Sequence, residues 1–150
     1  MSEKRSRQPI LGYLRADGRA GIRNHVAILY TVMCSEIVAR RIGALCPGTQ
    51  VFGIPEGCHW HQGRTDKAIG LGSHPNVGGV LVVGLGCEET LADKVAEGIA
   101  PSGKPVETLV IQDVGGSLTA MEEGVRKVNA LLQTAALAER VALEPADLTV

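Results

Sequence analysis

Aromatic rings are scarce in this chain, with one Trp, two Tyr and one Phe among 150 residues. A surface that stacks nucleobases needs more of them, and a nucleic-acid footprint also needs a basic stripe. The charge is balanced instead: 15 Lys and Arg face 16 Asp and Glu, for a net charge of −1. Long hydrophobic runs are missing as well. No stretch reaches the roughly 20 apolar residues of a membrane-spanning helix, and residues 1–9 carry no apolar leader segment. The expected compartment is the cytoplasm, where thiols stay reduced and spaced cysteines serve as metal ligands or catalytic groups more readily than as disulfides. A Cys-x-x-Cys pair is also absent, which removes a thioredoxin-like redox site and a zinc ribbon.

What the chain does have is a supply of Val, Ile, Leu and Ala for its core, at 45% hydrophobic and 21% charged residues. Its length suits one domain. Residues 1–9 are expected to form a disordered lead, residues 10–138 an α/β lobe, and residues 139–150 a weakly patterned tail. Asp17-Gly18 is a favoured tight-turn dipeptide, so a short hairpin is expected within 10–24. Four strand–helix units follow. The strands are expected at about 25–32, 50–54, 79–85 and 106–112, and the helices at about 35–46, 64–72, 89–99 and 117–136. The first helix should face the core with Ile37, Val38, Ile42 and Leu45, and the last with Leu118, Met121, Val125, Val128 and Leu132. The third helix carries a capping pattern, Thr90-Leu-Ala-Asp93. Alternating strands and helices imply a three-layer open parallel sheet, flavodoxin- or Rossmann-like, with right-handed crossovers and strand order 2-1-3-4.

Three of the four cysteines fall just after a strand: Cys34, Cys58 and Cys87. The carboxyl ends of parallel strands form the ligand crevice of such a sheet. In the expected order these three stand on neighbouring strands, about 4.8 Å apart. Three thiolates form a soft ligand set that favours an iron–sulfur cluster or zinc over magnesium or calcium. Free cysteine is equally a small buried hydrophobe, and spacing alone leaves both readings open. Cys46, at helical spacing from Ile42, is read as packing. His59 and His61 lie beside Cys58 at a spacing too loose to be diagnostic of a metal, and His74 precedes Pro75 in a turn. Arg15, Arg19 and Arg23 recur every four residues, and guanidinium forks bind carboxylates in pairs of hydrogen bonds. Gly84-Leu-Gly-Cys-Glu-Glu89 looks superficially like a dinucleotide turn. Glu88 would face the phosphates, so nucleotide binding is rejected there. Glu88 is read as a partner behind the site or as an acid at a helix start. Gln112 and Asp113 end the fourth strand on the cysteine edge.

Six motifs then stand in a familiar order: Gly12-Tyr-Leu-Arg-Ala-Asp-Gly-Arg-Ala-Gly-Ile-Arg-Asn24, Val32-Met-Cys-Ser35, Gly57-Cys58, His74-Pro-Asn-Val77, Val83-Gly-Leu-Gly-Cys-Glu88 and Ile111-Gln-Asp-Val-Gly-Gly116. From about residue 11 onward the chain resembles the catalytic region of the altronate/galactarate dehydratase family, which includes sulfolactate sulfo-lyase-like members. The resemblance implies a metal-dependent lyase that removes water or a related group from a sugar acid or other hydroxy acid. It implies iron, as single ions or as an iron–sulfur cluster, with zinc less favoured. On this expectation Cys34, Cys58 and Cys87 hold the metal, and Arg19, Arg23 and Gln112 bind substrate. His25, His59 and His61 are the candidates for the base. Members carry a histidine where this chain has Ile54, so that histidine's role does not transfer. Members also continue into a Cys-Gly-Gly-Ser-Asp stretch. The chain is therefore expected to be the first lobe of a larger enzyme, inactive alone, partnered by a second half or subunit and forming a homo-oligomer. The rival expectation is a non-catalytic α/β binding or regulatory module whose cysteines merely pack.

Overall fold

A computed structural model describes residues 10–58 and 62–148. The chain order is β1 (Ile10–Leu14), β2 (Ala20–Gly21), β3 (His25–Tyr30), α1 (Met33–Leu45), β4 (Thr49–Gly53), α2 (Gln62–Ser73), β5 (Val77–Gly84), α3 (Ala92–Ile99), β6 (Val106–Val110), α4 (Ser117–Ala136) and β7 (Val141–Leu143). The four-stranded sheet is parallel throughout, in the order β4-β3-β5-β6. That is the 2-1-3-4 order expected of the strand–helix alternation. The short β1–β2 hairpin is antiparallel, and β7 pairs with the other side of β1. The weakly patterned tail thus supplies a strand at Val141–Leu143. The expectation for residues 1–9 lies outside the described residues. No helix of the described residues is long and apolar enough to cross a membrane.

Burial follows position in the sheet. Every residue of the central β5 is buried, whereas the edge strands β4 and β6 are mostly half-exposed. A strand covered on both faces needs apolar side chains on both, and Val80-Leu-Val-Val83 supplies them. One face packs against α1 and α4 through Ile28, Ile42, Leu81, Leu109 and Val128. The other packs against α2 and α3 through Leu29, Ala68, Val82, Val95 and Ile99.

Two helices keep the inner part of the expected face and turn its margin outward. Ile37 and Leu45 of α1 are 70% and 64% exposed, while Ser35, Val38, Ala39 and Ile42 are buried. In α4, Leu118 is 76% exposed and the buried line is Ala120, Gly124, Val128, Leu131 and Ala135. Met121, Val125 and Leu132 flank that line, partly buried. Small residues explain the shift, because Ala and Gly let two helices approach closely while contributing little to a periodicity counted on large side chains. At Gly124 an added Cβ would meet Ile42 Cδ1 and lie 3.1 Å from Leu109 Cδ2. Gly124→Ala is therefore expected to lower stability by about 1 kcal/mol in denaturant unfolding, because overpacking outweighs the gain in helix propensity. The third helix starts at Ala92, with Leu91 at the cap position and no side-chain cap, so Thr90 does not cap it. Thr90 is itself buried, and Asp93 still lies in the first turn.

Candidate functional site

The chain runs from β3 to β4 on one side and then crosses to β5 on the other, so the topological switch point lies between β3 and β5. Ligand crevices form outside the carboxyl ends of strands at such a point. Cys34 sits in the first turn of α1 directly after β3, and Cys87 in the turn after β5, so the two flank it. Cys58 follows the edge strand β4. All three thiols are exposed, whereas Cys46 is buried. Burial pushes the Cys46 thiol up, as its packing role requires.

The three cysteine-bearing segments are joined directly. Glu89 N donates to Cys58 O at 3.2 Å, and Met33 N donates to Glu56 O at 3.2 Å. Thr31 Oγ1 donates to Glu88 Oε1 at 2.8 Å, which ties the end of β3 to the turn after β5. Ser35 Oγ and the Thr31 amide both reach Val83 O, at 3.1 Å each. Arg64, near the start of α2, steadies the Cys58 segment. Its guanidinium pairs with Glu56 Oε2 at 2.6 Å and donates to Gly57 O at 2.9 Å. Gln112 belongs to the same rim. Its amide N–H donates to Leu85 O at 3.0 Å, and its side chain lies over Gly86, next to Cys87. An apolar cleft of about 530 Å³ opens beside the Cys58 segment, lined by Ile54, Pro55, Glu56, Lys67 and Leu71.

Glu88 is buried beneath this rim, at 5% exposure. Burial opposes its charge, but hydrogen bonds from the Gly86 amide, its own amide, Thr31 and the Leu85 amide outweigh that cost and hold the carboxyl below its usual range. The fit to a metal is uneven. Three exposed thiols on stitched loops supply a soft donor set. Among the described residues, however, no group of three or more Cys, His, Asp and Glu side chains is arranged to hold a metal ion. His59 and His61 lie outside the described residues.

The expected carboxylate binders lie elsewhere. His25 opens β3 and pairs with Val77 at the opening of β5, so it marks the amino edge of the sheet. The hairpin with Arg15, Arg19 and Arg23 packs there, roughly 20 Å along the strands from the thiols. The structure does not bring Arg19, Arg23 or His25 together with Cys34, Cys58, Cys87 or Gln112. Arg19 is engaged with the Asp17 carboxylate and, at 2.7 Å, with Ser73 O. Arg23 donates its backbone N–H to Asn76 Oδ1. Arg15 and Lys104 donate to Pro75 O, and to Gly72 O and His74 O. Three cations therefore satisfy carbonyls at and just beyond the C-terminal end of α2, where a helix leaves them unpaired. Sequence reading missed Arg64 and Lys104. Arg64 carries a usable signal, a cation six residues after Cys58 in a Gly/His-rich stretch, but a lone Lys104 before Pro105 carries none.

Comparisons with known proteins agree with one another. The model of the family described as D-galactarate dehydratase/altronate hydrolase, second domain, matches residues 12–136. The chain is 35% identical over 143 residues to the (2R)-sulfolactate sulfo-lyase subunit beta of Chromohalobacter salexigens, covering 93% of this chain and 35% of that one. It is 32% identical over 124 residues to the altronate dehydratase of Bacillus subtilis, covering 73% of this chain and 25% of the relative. The altronate dehydratase of Escherichia coli is 35% identical over 103 residues, 54% of this chain and 21% of its own length. The chain thus spans about a third or less of the curated relatives it matches.

Proposed function

The chain belongs to the D-galactarate dehydratase/altronate hydrolase family, and on that footing we propose that it is one lobe of a lyase acting on a sugar acid or other hydroxy acid. The working surface is the carboxyl rim of the parallel sheet. The observation that carries this is the stitching of the three thiol-bearing segments to one another, through Cys58 O, Glu56 O and the Thr31–Glu88 bond. Packed cysteines would have no need to share a rim, and these three are exposed.

Removing water from a hydroxy acid requires taking a weakly acidic proton beside a carboxylate and expelling hydroxide. Cys34, Cys58 and Cys87 would be the residues to hold iron, which would supply charge stabilisation at this rim. The chain's own residues set the surroundings. Gln112 offers an amide over Gly86 that can hold a substrate hydroxyl. The open cleft beside the Cys58 segment offers an apolar wall, with Glu56 and Lys67 at its lining. His59 and His61, one and three residues after Cys58 in the chain, remain base candidates outside the described residues, and His25 stands at the amino edge. Arg19 and Arg23 serve substrate in this lobe only if a second subunit brings the amino edge of one chain to the carboxyl rim of another. The exposed Met33, Ile37, Leu91 and Leu118 around the rim give a partner an apolar collar to cover.

The test is anaerobic reconstitution of the purified chain with ferrous iron and sulfide. Near-stoichiometric iron is expected, with a marked drop in Cys34→Ser, Cys58→Ser and Cys87→Ser. Iron bound equally by the triple variant would sink the ligand assignment. Among the described residues no side-chain group is arranged to hold a metal, which favours a second reading, a non-catalytic α/β module. Wild-type protein that takes up no iron, with or without the remainder of the enzyme, would support that alternative.

A further inference from the structure

The turn Gly84-Leu-Gly-Cys-Glu88 has the form of an anion-binding loop, and the structure shows which anion it holds. Two successive amides converge on the carboxylate of Glu88. Leu85 N donates to Oε1 at 2.8 Å and Gly86 N donates to Oε2 at 2.7 Å. Successive backbone N–H groups that curve around a negative charge form a nest. Both glycines are required by it. A Cβ on Gly84 would lie 2.6 Å from Glu88 Oε1, and Gly86 holds φ +119°, a value that side chains rarely tolerate. The chain's own carboxylate therefore fills the place that a phosphate takes in a nucleotide-binding turn.

Oε1 also accepts the Thr31 hydroxyl at 2.8 Å, and this bond crosses the switch point from β5 to β3. Thr31 lies three residues before Cys34, and Glu88 lies next to Cys87. Between the two, Val83 O accepts the amide of Thr31 and lies 3.1 Å from the hydroxyl of Ser35. Every polar group in this bridge is buried or half-buried and satisfied within the chain.

We propose that Glu88 is a positioning residue of the carboxyl rim: by clamping the turn after β5 to the end of β3, it fixes the separation and approach of the Cys34 and Cys87 thiols. The inference rests on the reading of this rim as the working surface. It assigns Glu88 no contact with substrate. A side chain that only stabilised the fold would leave the mutual approach of the two thiols unchanged in any variant that still folds.

The experiment compares wild type with Glu88→Gln, which keeps the size but puts an amide donor against the nest, and with Thr31→Val, which keeps the carboxylate but cuts the bridge. Dibromobimane, fluorescent only after both arms have reacted with thiols, reports the approach of Cys34 and Cys87, and peptide mapping identifies the pair. Wild type is expected to cross-link this pair readily. Both variants should cross-link about tenfold more slowly, the scale set by losing one hydrogen bond to a charged group, with circular dichroism unchanged. A wild type that never links Cys34 to Cys87 overturns the proposal, as does an unaltered rate in folded Glu88→Gln. If Glu88→Gln does not fold, an unaltered rate in Thr31→Val overturns it by itself. Cobalt(II) added to the same samples separates the two readings. Its thiolate charge-transfer band is expected in wild type and weakened in the variants. A wild type without the band removes the metal reading, while the cross-linking rates still judge Glu88.

Discussion

Replacing Arg15 by methionine is expected to destabilise the fold by about 2–4 kcal/mol, because three hydrogen bonds to one cation are lost and their acceptors stay behind. Arg15 Nε donates to Pro75 O at 2.7 Å, one terminal nitrogen to Asn24 Oδ1 at 2.8 Å, and the other to Arg23 O at 3.0 Å. Asn24 in turn donates to Ala135 O at 2.7 Å, at the end of α4. One guanidinium thus ties the hairpin, the turn before β5 and, through Asn24, the last helix. Methionine matches the length and keeps the packing of the stem, so the loss reports the fork rather than a cavity. Lysine should recover little, since a single ammonium cannot reach acceptors in three directions. Denaturant unfolding with unchanged slope measures the effect. If Arg15 were instead a substrate group awaiting a carboxylate, its removal would leave stability almost untouched, and that result would sink the structural assignment.

The same residue shows where sequence reading ends. The parallel sheet and its order were legible because strand–helix alternation and turn residues are local signals, and handedness leaves few topologies. The placement of Cys34, Cys58 and Cys87 on one rim followed from the same topology. The roles of the arginines did not. Arg15 and Pro75 are 60 residues apart in the chain, and nothing local in either motif says that the hairpin folds toward the amino edge. Spacing every four residues suggested a shared job for Arg15, Arg19 and Arg23, and Arg15 and Arg19 do share one, as anchors on carbonyls around the end of α2. Glu88 was half legible. Its negative charge argued against a phosphate, but its burial under the turn depends on Thr31 arriving from another strand. Only the margins of the α1 and α4 faces were misread, at Ile37, Leu45 and Leu118, because Ala39, Ala120 and Gly124 carry little hydrophobic weight and yet decide how closely the helices approach.

The two rims have different chemistries as a result. At the carboxyl rim, thiols are exposed and the charge beneath them is the negative charge of Glu88. At the amino rim, cations crowd around backbone carbonyls, and a small cavity of about 210 Å³ lined by Arg15, Asn24, Ser102, Lys104 and Thr134 opens among them. Their donors are already committed to the chain, so the positive charge there holds the fold together.

Lys104 makes that commitment measurable, and stability is expected to rise between about pH 8 and pH 10.5 because of it. Only 8% of the residue is exposed, and its ammonium donates to His74 O at 2.7 Å and Gly72 O at 3.3 Å. Burial first, then the charges of Arg15 and Arg19, push its pKa down from 10.5 to about 8, against a smaller upward pull from Asp17. In the unfolded chain the ammonium returns to its ordinary value. Between the two values the unfolded state holds a proton that the folded state has released, so raising the pH favours folding across that window and nowhere else. The gain is about 3 kcal/mol at most, and the neutral amine still has N–H groups for both carbonyls, so deprotonation does not empty the site. Lys104→Met should remove this rise, which makes the difference between the two stability curves the quantity to measure, since tyrosines, thiols and other lysines titrate alike in both proteins. Arg15→Met should shift the rise to higher pH, because it takes away one of the charges that depress Lys104. Parallel curves for wild type and Lys104→Met from pH 8 to 10.5 would show that the buried ammonium keeps its ordinary affinity for the proton, and that the cations at this edge do not act on one another.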